Sequence, residues 1–212
     1  MSDIGPTLVV DYGLGNLASV GRALRHLGSE PVISAEPDAL RSAARVVLPG
    51  VGAFGTAMAN LEARGLVPAL HDYVASGRPL LGVCLGMQLL MDESDEGGLN
   101  RGLGVVPGRV ARLPSAPGYK VPHIGWSGIH PAGHDWRGTI LDAVEPDDAL
   151  YFVHSYHVLP VDPREVLAYT PYGPLRYCSV IARGNVYGCQ AHPEKSGSAG
   201  LKLLENFLRI PH

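Results

Sequence analysis

The chain has 212 residues, 46% of them hydrophobic and 17% charged, with a formal net charge of −3. That much apolar side chain can bury a full core, which excludes a disordered chain, and no apolar run approaches the roughly 20 residues that span a bilayer. The 17 basic residues form no stripe, so neither a nucleic-acid nor a membrane partner is expected, and a small, nearly neutral substrate fits better.

Residues 1–6 show no basic stretch followed by an apolar one, so no signal peptide is expected. Thr7-Leu8-Val9-Val10-Asp11 is a β-branched, apolar strand that meets a glycine turn at Gly13 and Gly15. Asn16 is placed to cap a helix running to about 28, on which Leu17, Val20, Leu24 and Leu27 form one apolar stripe. A strand over 30–34, a short helix over 37–44 and a strand over 45–48 follow, the last ended by Pro49-Gly50-Val51-Gly52. Helices are predicted at 55–64 and 67–76, then a strand at 79–83 that enters a helix at 85–91. Strands separated by helices pair in parallel, in a sheet covered on both faces.

After Gly97 the pattern changes: 105–113, 121–129, 150–158, 166–169, 178–182 and 186–190 read as strands joined by Pro/Gly turns. Residues 196–209 close the chain as an amphipathic helix with Leu201, Leu204, Phe207 and Leu208 on its apolar side. With no repeat, low-complexity tract or linker, 1–212 is read as a single α/β domain: a doubly wound, largely parallel sheet with helices on both faces, extended by an antiparallel-rich C-terminal half. Three cysteines, Cys84, Cys178 and Cys189, are an odd number without paired spacing, which argues against disulfides and for a reducing cytoplasm.

Gly82-Val83-Cys84-Leu85-Gly86-Met87-Gln88 lies directly after a strand and before a helix. A nucleophile on so sharp an elbow needs small neighbours, which Gly82 and Gly86 supply. Free N–H groups and the positive end of the following helix favour thiolate, and the Leu85 N–H is placed to hold an oxyanion. A lone cysteine at a strand end is otherwise a small buried hydrophobe. A strand over 186–191 runs into His192-Pro193-Glu194, where proline fixes the chain so that Glu194 can orient His192 as a base. Elbow cysteine and rigid His–Glu pair together favour nucleophilic chemistry over a surface histidine with an incidental acid.

Pro49-Gly50-Val51-Gly52-Ala53-Phe54-Gly55 is a glycine loop beyond a parallel strand, where ligands of doubly wound sheets bind. It either merely links strand to helix or offers a second oxyanion donor from Val51 or Gly52. The glycines flanking Val51 leave that peptide free to reorient, so the hole need not be permanently formed. Tyr12-Gly13-Leu14-Gly15-Asn16-Leu17-Ala18 imitates a dinucleotide fingerprint, with Glu36 after the next strand, which keeps a dinucleotide-binding oxidoreductase as the rival reading. That rival leaves Cys84 and His192 unused. Cys178 and Cys189 read as core. His154 and His157 lie on one predicted strand at a spacing that sends them to opposite faces, and His123 and His130 have no ligand spacing, so no metal or cofactor is expected.

With these motifs assembled, the chain resembles the class I (triad) glutamine amidotransferases, in which G-x-C-x-G-x-Q and H-P-E mark the nucleophile and its partners. Within that group it is similar to the glutaminase subunits of imidazole glycerol phosphate synthases, from histidine biosynthesis. The narrowing blocks are Asp11 to Leu17, Leu48 to Gly55, Gly82 to Gln88, Val121 to Trp126, Tyr151 to Tyr156 and His192 to Ser196, in order over nearly the whole chain. The resemblance implies Cys84 as nucleophile, His192 as general base and acid, and Glu194 as the group that orients it. It implies that Gln88 and Glu96 help hold L-glutamine, with backbone groups of Gly52, Leu85, Ser155 and Tyr156 completing the pocket. It also implies that Asn16, Trp126, Tyr151 and Lys195 face a cyclase subunit, a (β/α)₈ barrel that receives the ammonia within a heterodimer. The glycine turn at Gly13 and Gly15 then becomes an interface loop. Ile124-Gly125-Trp126-Ser127 stands where the family commonly has Met-Gly-Trp-Asn, and the stretch 130–148 is long.

Overall fold

The computed structural model describes residues 6–115 and 117–211; the signal-peptide expectation at 1–5 lies outside them. The first half alternates β1 (Thr7–Val10), α1 (Leu17–His26), β2 (Val32–Ser34), α2 (Pro37–Ser42), β3 (Arg45–Gly50), α3 (Phe54–Ala63), α4 (Leu66–Ala75), β4 (Leu80–Cys84) and α5 (Leu85–Leu89). The second half runs β5 (Glu93–Ser94), β6 (Asn100–Arg101), β7 (Gly108–Arg112), β8 (His123–Gly128), β9 (His130–Pro131), β10 (Ala149–His154), β11 (Tyr156–Pro160), β12 (Val166–Tyr172), β13 (Leu175–Arg183), β14 (Val186–Cys189) and α6 (Gly197–Arg209).

One eight-stranded sheet, ordered β2-β1-β3-β4-β14-β13-β12-β9, carries the fold. Its β2-β1-β3-β4-β14 portion is parallel and the remainder antiparallel. Alternation along the strands divides two cores. Leu8, Val10, Val46 and Leu48 face α2, α3 and α4, whereas Val9, Val47, Leu81 and Val83 face α1 and α6. Helices thus cover both faces, as the βα alternation predicts. Among the described residues, no helix is long and apolar enough to cross a membrane.

The second half departs from expectation in arrangement. Only β9, β12, β13 and β14 join the main sheet; β8 pairs with β10, and β5, β6, β7 and β11 form a mixed sheet of their own. The run predicted as one strand over 150–158 breaks at Ser155, so β10 and β11 serve different sheets. His154 and His157 therefore lie on two strands rather than on opposite faces of one. The 105–113 strand starts only at Gly108, and β3 continues through Pro49 and Gly50. Asn16 precedes α1 but makes no side-chain capping bond, because its backbone (φ −88°, ψ 60°) is not the extended conformation from which a cap reaches back.

Candidate functional site

The parallel sheet brings distant residues together at the carboxyl ends of its central strands. The β3–β4 register sets Gly50 opposite Cys84, and the β14–β4 register sets Cys189 opposite Val83. The residues that follow β14 are thereby delivered beside the Cys84 elbow. Cys84 itself has φ 54° and ψ −110°, a conformation costly for a residue with a side chain and frequent at functional turns. The elbow glycines are needed because α5 crosses the strands closely. A Cβ on Gly82 would lie 2.7 Å from the Gly86 carbonyl oxygen and the Met87 nitrogen, and one on Gly86 would collide with the Leu48 carbonyl. At 5 residues α5 is shorter than predicted, so it offers the free N–H groups of its first turn, Leu85 first, rather than a long helix dipole.

His192 and Glu194 are joined by a 2.9 Å hydrogen bond from Nδ1 to Oε1, with side chains only 2% and 1% exposed. Burial works to lower the pKa of His192. The adjacent Cys84 sulfur and the Glu194 carboxylate outweigh it and raise the value to about 9, which favours imidazolium. Nε2 is buried without a hydrogen-bond partner among the described residues, and the Cys84 sulfur acts on the ring electrostatically. The backbone of His192 is anchored too. Its N–H donates to the Tyr151 carbonyl (2.9 Å), and Ser196 Oγ accepts from the Tyr151 N–H (2.9 Å) while donating to the His192 carbonyl (2.6 Å).

A cleft of about 330 Å³ opens over Cys84. Val51, Gly52, Leu85, Gln88 and Glu96 line it together with Pro122, Val153, His154, Ser155 and Tyr156. Every residue expected to hold substrate or an oxyanion therefore borders this cleft. Gln88 Nε2 donates to the Tyr156 carbonyl (2.9 Å), and a Glu96 carboxylate oxygen accepts from the Phe54 N–H at the start of α3 (2.7 Å). Gly50 packs against the Tyr12 hydroxyl and Leu85, so its role is close approach; freedom to turn belongs to Gly52, at φ 113°, where an added Cβ would meet only the Leu14 side chain at 3.9 Å.

The expected partner residues divide. Trp126 and Tyr151 are cross-strand neighbours with rings 5.9 Å apart, and Lys195 Nζ lies 5.8 Å from the Tyr151 ring centre. Trp126 is 56% exposed, so the three form one surface patch at the rear of the His192 anchor. Asn16 is half-buried and stands apart in the chain, just before α1, the helix that packs against the turn at Pro193–Lys195.

Two polar residues that sequence reasoning passed over lie within the site: Ser196 and the fully buried Gln190. Their only sequence signal is a polar residue ending a buried strand and a serine opening a helix. Cys178 and Cys189 are buried, with thiols whose pKa burial raises. Burial lowers the pKa of His123 and of His157, and takes that of His154 down to about 3, so all three are neutral inside an aromatic cluster around Tyr177. Among the described residues, no group of three His, Cys, Asp or Glu could hold a metal ion. In the Gly13 turn the Gly13 amide is committed to Asp11 (2.9 Å).

The model of the family described as glutamine amidotransferase class-I matches residues 8–210. A relative from Symbiobacterium thermophilum, named imidazole glycerol phosphate synthase subunit HisH, is 51% identical over 96% of this chain and 93% of its own. A relative of the same name from Moorella thermoacetica is 45% identical over 95% and 93%. Among solved structures, a glutamine amidotransferase superposes with TM-score 0.73 at 21% identity, covering 96% of this chain and 97% of its own. The PurLQS structure from Thermotoga maritima gives 0.74 at 18%, covering 97% and 98%, a likeness of fold.

Proposed function

The chain belongs to the class-I glutamine amidotransferases, as a glutamine-hydrolysing subunit of imidazole glycerol phosphate synthase in histidine biosynthesis, and from that premise we propose how its residues divide the work. Cys84 thiolate attacks the side-chain carbonyl carbon of L-glutamine. The resulting oxyanion is held by the Leu85 N–H and a donor from the Val51–Gly52 turn. His192, as imidazolium, protonates the departing ammonia; as imidazole it then takes a proton from the water that hydrolyses the thioester to glutamate. Glu194 fixes the ring and stabilises its charged form. Gln88 and the Glu96 carboxylate hold the amino-acid end of glutamine, with Gly52, Leu85, Ser155 and Tyr156 bordering it.

What supports this most is the strained Cys84 elbow meeting a buried His192–Glu194 pair beneath a cleft of amino-acid size. As a subunit, the chain has a partner subunit. We infer that it is a (β/α)₈ cyclase bound as a heterodimer through Asn16, Trp126, Tyr151 and Lys195, and that the turn at Val51 is ordered by docking. We also read 1–212 as one amidotransferase domain working without a cofactor in the cytoplasm, where three free thiols persist. One assay tests the scheme: glutamate release from glutamine with and without a co-expressed barrel cyclase and its nucleotide ligand. Release is expected only with the pair, and Cys84→Ala is expected to abolish it. Ammonia release that survives this substitution would remove Cys84 from the mechanism.

A further inference from the structure

Gln190 is polar, carries no exposed surface and lies between the nucleophile and the cleft wall. Its main-chain N–H continues the sheet by donating to the Ser179 carbonyl (2.9 Å), so its side chain is delivered from a rigid strand end. Burying a carboxamide is costly unless both ends are bonded. Here both are. Oε1 accepts from Gln88 Nε2 at 3.1 Å, and Nε2 lies 3.7 Å from Cys84 Sγ as donor.

The direction of this chain is fixed at its far end. The Tyr156 carbonyl only accepts, so Gln88 must turn its NH₂ toward it. The same NH₂ meets Gln190, which must answer with its oxygen. That leaves the Gln190 NH₂ facing the sulfur. A flipped carboxamide would set two NH₂ groups against each other and aim an oxygen at the nucleophile.

We propose that Gln190 is a positioning residue for Cys84: its carboxamide, aligned from the Tyr156 wall of the cleft through Gln88, donates to the sulfur and holds it as thiolate. The proposal deepens the glutaminase reading and rests on it for the identity of the nucleophile. A donor to sulfur stabilises the anion over the thiol, and the relay ties that stabilisation to the strand that borders the substrate.

The test is the pH dependence of iodoacetamide alkylation in the full chain, read by mass spectrometry on the peptide carrying Cys84. Buried Cys178 and Cys189 serve as internal controls. In Gln190→Met, alkylation near neutral pH is expected to slow about tenfold as the donor is lost, with the midpoint moving upward by about one pH unit. Gln190→Glu is expected to move it further, because a carboxylate beside a thiolate repels it. If Gln190→Met does not fold, Gln88→Met removes the bond that aligns Gln190, together with the one to the Tyr156 carbonyl, and is expected to give the same shift in alkylation at smaller amplitude. A merely structural role would lower the melting temperature and leave the midpoint in place, and an unmoved midpoint in a folded variant overturns the proposal. Glutamine hydrolysis by the unaltered chain with its partner separates the two claims. A moved midpoint without hydrolysis refutes the glutaminase scheme and keeps Gln190; hydrolysis with an unmoved midpoint does the reverse.

Discussion

Replacing Glu194 by glutamine keeps an acceptor for the Nδ1–H of His192 and removes the charge. In the native site burial opposes the protonated ring, yet the Cys84 sulfur and the Glu194 carboxylate together raise its pKa from the ordinary 6.5 to about 9. That rise corresponds to roughly 3 kcal/mol in favour of imidazolium, and side chains 2% and 1% exposed leave little of it to be screened by water. Without the carboxylate, burial is opposed by the sulfur alone. The alkaline limb of kcat/KM, which reports the Cys84–His192 pair as a unit, is expected to move down by about one pH unit or more. The rate at about pH 8 should fall about twofold for a shift of about one unit, and on the order of tenfold for a shift of about two. Glutamate release in the presence of the partner subunit, followed from about pH 6 to 10, measures it. Stability follows with a defined sign. A raised folded pKa contributes fully below 6.5 and is lost as pH rises through about 9. The native chain should therefore exceed Glu194→Gln in stability most at low pH, with the gap closing above about 9. An alkaline limb at the same pH in both proteins would refute the ion-pair account.

Two further substitutions probe the scaffold and the patch. Gly86→Ala sets a methyl group against the Leu48 carbonyl, backbone on both sides; overpacking of this kind costs about 1–3 kcal/mol. For a chain of this size the melting temperature should fall by roughly 2–12 °C, and an unchanged melt would mean that α5 can shift away from β3. Trp126→Ala removes an exposed ring that rests on Tyr151. Its own melting temperature should hold within about 1–2 °C, while titration calorimetry should find partner affinity reduced at least about tenfold. Undiminished affinity would place the interface elsewhere.

The βα half was legible because each strand there is a short apolar run and each helix an apolar stripe, patterns set by local geometry. The second half was less so. The run from Leu150 to Val158 is continuous in hydrophobicity, and nothing in its composition marks Ser155 as the place where the chain leaves one sheet for another. Strands of two residues, such as Glu93–Ser94 and His130–Pro131, are too short to show a period at all. Asn16 has the right residue type for a cap and the wrong backbone for one.

The site divides the same way. Residue type and spacing alone pointed to the proposed chemistry: glycines on both sides of Cys84 allow a strained elbow, and Pro193 holds His192 two positions from Glu194. Only the tertiary structure decided who stands beside whom. Parallel pairing of β14 with β4 carries Gln190 and His192 to Cys84 across more than a hundred positions, and β10 brings Tyr151 to the His192 backbone. Register between distant strands is set by packing of the whole sheet rather than by any local segment. The proposed nucleophile could therefore be named from the sequence, and the bonds around it could not.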